Sequence, residues 1–537
     1  MFISQFLRKK SLVVLICASS SSVFAAEPVD PTDESLLPPP GESANNTVSI
    51  TQEEIASGEI PLGTIFQQGM QMFSTPFNTF DGLGDGPLNQ ENNATLGGRP
   101  SYVEPNDDLI FPFPRRVNGG DAQSCLECHG IGSAAEIPMR FTVGGVGSIS
   151  NNVLATTDFD IADEAGNGYA RVDGRPINPP FVFGSGGLEL VAMEMTQRLH
   201  RIKARAKRNP GVFYDLKTHG VNFGKIRWQE HEATAEALAK VKDQSQLRFA
   251  HACNPEGTSL AVGSPIFGER HKIPDQWAEN EYGSVLHLDV SKVEGVGADL
   301  IIRPFGRKAS RVTTREFDCD AMHFHHGIEA EEIFGNEDHD GDGYIKEITI
   351  GQMSALAIFN TTTPPPFQEH LSREARQGRR LFKDIGCADC HKLKLQSKSK
   401  ILSYHFPEFS PGLKIFTPET KFYEVDLTTI GFQANGRGGI KVPAFSDLKV
   451  HNMGPRLEEK ASGVSDEVNR SFITARLWGV ADTAPYMHDG RAPTLFEAIL
   501  QHDGDAFDQR EAFRGLSDED QAKLIAFLKS LRTPEEL

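Results

Sequence analysis

Apolar residues in this chain recur mainly at helical spacing, in a few well-separated blocks. Gly187 to Ala206 carries Leu188, Val191, Met195 and Leu199 three or four positions apart, which predicts an amphipathic helix. A second helix is predicted through Glu230 to Val241. A third runs through Ile350 to Phe359, with Pro364-Pro365-Pro366 beyond it as a stop. Between them, Ser284 to Val290 alternates and Leu300 to Pro304 runs apolar, as short strands do. The pattern starts afresh near residue 370. Glu369 to Lys383 predicts a charged amphipathic helix ending at Ile385-Gly386. Near the C-terminus Ser517 is an N-cap with acid at the third helical position, ahead of an apolar face of Leu524, Ile525, Phe527, Leu528 and Leu531. The expected fold class is mainly α, with a long loop-rich, partly β insertion in the first half. A boundary at 365–372 separates expected domains 56–368 and 369–537.

The first 55 residues lie outside this pattern. Arg8-Lys9-Lys10, the short apolar run Ser11 to Ala18 and Val23-Phe24-Ala25 read as a cleavable export signal over residues 1–26. That run is far below the roughly 20 residues a bilayer span needs, so no membrane span is expected. Residues 27–55, with Pro38-Pro39-Pro40-Gly41 at their centre, read as a disordered tether. The expected location is the periplasm.

Cysteine placement changes the picture most. Of seven cysteines, Cys17 leaves with the leader. Four others form Cys125-Leu126-Glu127-Cys128-His129 and Cys387-Ala388-Asp389-Cys390-His391. In CxxCH, two thiols one helical turn apart add to the two vinyl groups of one haem, and the adjacent histidine lies under the iron. Two covalently bound haem c groups are therefore expected, with Cys125, Cys128, Cys387 and Cys390 as attachment points and His129 and His391 as iron ligands. A structural zinc site would need further Cys or His close to each pair, and none follows. A helix before the second cysteine pair, crossed by one at the C-terminus, is how a small haem-c domain is built. Two motifs then imply two cytochrome c-like haem domains in tandem.

The sixth ligand decides what each haem does. A His/Met iron has a raised potential and passes electrons, whereas an open iron binds small oxidants. Met453, in His451-Asn452-Met453-Gly454-Pro455, is the expected ligand of the second haem, with Met487 and His451 as rivals. No histidine follows His129 until His200, and Met139 is too near to wrap around the macrocycle, so the first haem lacks a local sixth ligand. His325, within Met322-His323-Phe324-His325-His326-Gly327, is the candidate to approach it. Glu189 is the candidate carboxylate for moving a proton there. Asp338, Asp340 and Asp342, with Gly343, resemble the start of a Ca²⁺ loop, although position 12 is Thr349 and Glu347 stands two places early. Cys253 and Cys319 lie outside any motif, and a disulfide between them or two buried thiols both remain open.

There are 73 acidic and 54 basic residues, and the leader removes three cations and no acid, taking the formal charge from −19 to −22. This argues against nucleic acid and an anionic membrane face, and over the whole molecule it suits a basic electron-transfer partner.

These residues resemble the bacterial di-haem cytochrome c peroxidases and, more closely, the di-haem oxidoreductase family. The matching stretches include Asn118 to Ala122 before the first CxxCH, Phe183 to Leu190, Arg303 to Lys308, Phe445 to Leu448, Leu477 to Val480, Ala484 to Arg491 and Thr494 to Ile499. The resemblance implies two mainly helical haem-c domains facing each other, one haem feeding the other. It also favours Met453 over Met487 and makes His488 a framework residue near the second haem. One departure is that the peroxidases place a histidine soon after the first CxxCH, and this chain does not. The expected function is a di-haem oxidoreductase that takes electrons from a small donor protein (cytochrome c or cupredoxin) through the His/Met haem, with Trp478 along the route, and reduces hydrogen peroxide at the other. The alternatives are a non-enzymatic electron carrier and an oxygenase or oxidase acting on an organic or protein substrate.

Overall fold

The computed structural model describes residues 48–83, 123–129, 178–180, 182–232, 234, 277–279, 285–336, 338, 343–406, 420–459 and 465–534. In chain order the main elements are α1 (Leu62–Ser74), α2 (Ser185–Lys207), β1 (Tyr214–Thr218), β2 (Val221–His231), β3 (Trp277–Glu279) and β4 (Val285–Val293). They are followed by α3 (Thr314–Ala321), α4 (Ile350–Thr362), α5 (Arg373–Asp384) and α6 (Asp518–Leu528). Helix predominates over strand among the described residues, and short turns and two-stranded ribbons fill the rest.

Two crossed helix pairs organise the halves. α4 is buried on every side from Gly351 to Thr362, its polar Gln352, Ser354, Asn360, Thr361 and Thr362 included. Thr349 and Gln352 form a reciprocal capping box at its start. α1 lays Ile65, Gly69, Met72 and Phe73 against it. In the second half α5 buries Ala375, Gly378 and Phe382 against Leu524, Phe527 and Leu528 of α6. Both crossings use a glycine. A Cβ on Gly69 would sit 2.5 Å from Phe359 Cβ and 2.8 Å from Ala355 C; one on Gly378 would sit 2.5 Å from Lys523 C and 2.9 Å from Leu524 N. Ordinary contact is about 3.5–4.0 Å, so only glycine lets the backbones approach this closely. Four positions after each glycine stands a phenylalanine that packs on the partner helix. Phe73 meets Phe359 and Phe382 meets Phe527, each pair at 5.4 Å between ring centres.

The insertion is an antiparallel sheet of order β1-β2-β4-β3, with α2 lying against it. Trp228 on β2 is buried and donates its Nε1–H to Lys203 O of α2 at 3.2 Å. Two expectations are corrected. Leu300 to Pro304 is buried but is not a strand: Leu300 has φ 64°, and the Ile302 amide donates to Thr196 Oγ1 at 2.9 Å rather than to a neighbouring strand. Glu230 does not open a helix. Glu230 and His231 are the end of β2, opposite Leu286 and Val285, and the chain from 235 to 241 lies outside the described residues.

Candidate functional site

The first CxxCH is a tight turn at Cys125–Glu127, where Cys128 N and His129 N both return to Cys125 O. His129 Nδ1–H donates to Pro180 O at 2.7 Å, and the ring lies 6.3 Å from that of Phe73. The second CxxCH is a one-turn helix, Cys387–Cys390, entered through Gly386 at φ 87°. His391 Nδ1–H donates to Phe445 O at 2.9 Å, and its ring again lies 6.3 Å from a phenylalanine, Phe382. Phe445 takes the left-handed conformation, φ 54°, in a loop between short ribbons.

Each histidine therefore has similar surroundings: a phenylalanine from a helix earlier in the chain (α1 for His129, α5 for His391), and a backbone carbonyl 51 positions on for His129 and 54 for His391. A carbonyl only accepts, so it fixes the proton on Nδ1 and leaves Nε2 as a lone-pair donor, the arrangement expected of a metal-ligating histidine. Burial pushes both imidazoles down to about 4, so both are neutral near pH 7, the form that ligates. Two thiols and one oriented, neutral imidazole at each place fit the attachment of an iron porphyrin.

Around the second motif, Cys390, Asp447 and His451 bring their polar atoms within 4.8 Å of one another. His451 Nε2 bonds Asp447 Oδ2 at 3.1 Å, and Nδ1 lies 3.6 Å from Asp505. Burial opposes it, yet the Asp447 carboxylate and the Cys390 thiol together carry His451 up to about 10. Both its nitrogens face carboxylates. Met453 is half-buried just after the ribbon strand Val450–Asn452, with its amide on Arg470 O at 2.8 Å. Met487 has φ 72°, and its carbonyl accepts from Asn178 Nδ2 at 2.9 Å, tying the segment before α2 to the second half. His488 is buried and stacks on Phe472 at 4.7 Å. Trp478 is fully buried between the halves. A Cβ on Gly184 would touch its Cη2 at 2.8 Å, and Phe432 lies 6.5 Å away.

At the first motif the histidine cluster does approach. α3 runs into a one-turn π-helix, Met322–His326. His326 Nε2 lies 3.8 Å from Cys125 Sγ, and the charge of His325 adds to the depression of His129. His326, buried against Phe77, is a residue that sequence reasoning passed over in favour of His325. It lies 201 positions from Cys125, and no local pattern marks it. Glu189 is buried on α2, and its Oε2 accepts from Thr314 N, at the start of α3, at 2.8 Å. Burial pushes its carboxyl up to about 7 despite that bond.

Asp338 Oδ2 accepts from Gly343 N at 3.1 Å, with Gly343 at φ 97°, whereas Asp340 and Asp342 lie outside the described residues. Thr349 caps α4, and buried Glu347 accepts from Glu329 N at 2.7 Å. Cys319 is buried and donates to Glu332 Oε1 at 2.7 Å; Cys253 lies outside the described residues.

Residues 431–531 match the family described as di-haem oxidoreductase, putative peroxidase. The matched segment carries Phe445, Met453, Trp478 and His488. No curated protein matches the chain. Among solved structures it is similar to a Kuenenia stuttgartiensis hydrazine synthase pressurised with xenon, at 17% identity and TM-score 0.22, over 40% of this chain and 64% of that one. It is also similar to a MauG-like protein associated with microbial copper homeostasis, at 15% identity and TM-score 0.25, over 56% and 90%. The chain spans less than two thirds of the first of these, and at such TM-scores neither likeness bears on fold or activity. Among the described residues no helix is long and apolar enough to cross a membrane.

Proposed function

We propose that this chain is an exported, periplasmic di-haem c-type oxidoreductase built from two cytochrome c-like modules, 56–368 and 369–537, after a leader (1–26) and a tether (27–55). The observation that carries this reading is the repeated setting of His129 and His391. Each is a neutral imidazole with Nδ1 fixed by a carbonyl, beside two half-buried cysteines and a phenylalanine from a helix earlier in the chain. Cys125 and Cys128 hold one haem and Cys387 and Cys390 the other, with His129 and His391 as their iron ligands. Haem supplies reversible one-electron transfer and, where a coordination position is open, a place for a small oxidant.

In this reading Met453 would be the further ligand of a haem held at the second motif, the group through which electrons from a small donor protein would enter. The rival His451 is occupied by Asp447 and Asp505. Trp478, buried against both halves, lies on the route between them. At the first site Glu189 and His325 would handle the two protons that reduction of one peroxide to water consumes: a carboxyl titrating near neutrality both gives and takes one. The proposal extends to a Ca²⁺ ion at Asp338, Asp340 and Asp342, supported by the bond from the Gly343 amide to Asp338.

The test is the mature protein made where cytochrome maturation operates. Its mass must exceed that of the polypeptide by two haems, and its oxidised EPR spectrum must contain a high-spin component that peroxide abolishes. A colourless protein overturns the reading. Two low-spin irons inert to peroxide would replace it with a simple electron carrier, and bound dioxygen in the isolated protein would point to an oxygenase.

A further inference from the structure

The whole-molecule charge is strongly negative, but the fold does not spread it evenly. α5 leads directly into the second CxxCH, and its outward side carries Arg373, Arg376, Arg380 and Lys383 at spacings of three and four, opposite the buried Ala375, Gly378 and Phe382. All four are exposed. The chain leaving the motif continues with Lys392, half-buried, and Lys394, exposed. Among the described residues none of these six makes an ion pair with a carboxylate, in a protein where acids outnumber bases by 19. The acids of the same stretch are Glu374, Asp384 and Asp389, so it keeps a net positive charge.

An unpaired basic face is commonly only solvated. Here it has a position: it borders the haem-attachment motif on both the entering and the leaving chain. At physiological salt the Debye length is about 8 Å, so a docking partner feels this local charge rather than the distant acidic surface.

We propose that this face is the electron-entry surface of the second module, and that its partner is a small redox protein with an acidic face around its own centre. This reverses the partner charge expected from composition, and it rests on the second module carrying the entry haem. Steering of this kind raises association rates by roughly 10- to 1000-fold and fades with salt.

The test is stopped-flow reduction of the second haem in the full mature protein. Two reduced probes of matched potential are compared: a small copper protein with an acidic face and a c-type cytochrome with a lysine-rich face. The acidic probe is expected to react at least tenfold faster at low salt, with a rate that falls as salt rises. R376Q/R380Q/K383Q is expected to lower that rate about tenfold. R205Q/R208Q/K292Q, which removes three exposed cations at the far end of α2 and on β4, is expected to leave it unchanged. A faster lysine-rich probe, or an α5 variant with native haem content and an unchanged rate, overturns the proposal while the di-haem reading stands. A protein without the second haem overturns both.

Discussion

Replacing Gly378 with alanine tests the packing on which the second module is built. In an exposed helix interior this change is favourable by about 1 kcal/mol, because alanine is the better helix former. Here the added methyl would meet Lys523 C at 2.5 Å and Leu524 N at 2.9 Å, both backbone atoms of α6. Backbone cannot rotate aside as a side chain can, so α5 and α6 must part by about 1 Å to restore normal contact. Overpacking of this kind costs about 1–3 kcal/mol. Loosening the Phe382–Phe527 contact also weakens the packing beside His391. The net expectation is a loss of about 1–2 kcal/mol, confined to the transition that carries the second haem. The assay is denaturant unfolding of the holoprotein, with circular dichroism for the whole chain and the haem absorbance for the module, since a chain of this size need not unfold in one step. Gly69→Ala makes the equivalent clash with Ala355 and Phe359 and should act on the first module. Gly63→Ala, on α1 with nothing within 4 Å of the new methyl, should be neutral or slightly stabilising. If Gly378→Ala behaves like Gly63→Ala, the helices are not in backbone contact and the crossing is wrong.

The remaining predictions concern single side chains. Glu189 has a folded pKa near 7 against an ordinary 4.5, so the folded state keeps its proton while the unfolded state loses it. Stability should fall as pH rises from 4.5 to 7, by about 3 kcal/mol, and Glu189→Gln should remove that dependence in unfolding measured from pH 4 to 8. Met453→Leu should lower the potential of the second haem and abolish the methionine-to-iron band of its oxidised spectrum, and Met487→Leu should do neither; the reverse result would exchange the two assignments. Glu194 of α2, mostly buried, accepts from Lys398 N at 2.8 Å, Ser399 N at 2.9 Å and His219 Nε2 at 3.0 Å. Glu194→Ala removes the acceptor of the half-buried Ser399 amide and of the exposed Lys398 amide and should cost about 1–2 kcal/mol, with faster hydrogen exchange at 398–399 as the local readout.

Sequence pattern revealed the elements that carry a regular apolar stripe and the chemistry that is contiguous. α2, α5 and α6 were legible because their apolar residues recur every three or four positions, and both CxxCH motifs because five consecutive residues carry them. Pattern failed where burial was mistaken for pairing. Leu300 to Pro304 is apolar because it is buried, yet a side chain of α2, Thr196, takes up the Ile302 amide in place of a strand. Glu230 to Val241 has a helix former's composition, but register with β4 claims its first residues. His326 was unreadable for another reason: its relation to Cys125 exists only after α3 has been placed.

The groups that orient the two histidines are the hardest to read from sequence, because they are main-chain carbonyls. Pro180 and Phe445 share no side-chain chemistry; they share a backbone oxygen at nearly the same distance along the chain from their histidine. What positions those oxygens is structural in each case. Pro180 stands two residues from Asn178, whose side chain is held on Pro485 O and Met487 O of the other half. Phe445 owes its place to a left-handed turn beside buried Ser446, which bonds Thr474 O at 2.8 Å. The orientation of His129 thus depends on residues of the second half, whereas that of His391 depends on its own. Asn178→Ala should therefore loosen the first site and leave the second intact, an asymmetry that two self-contained modules would not show. Equal loss at both sites, read from the separate haem potentials, would refute it.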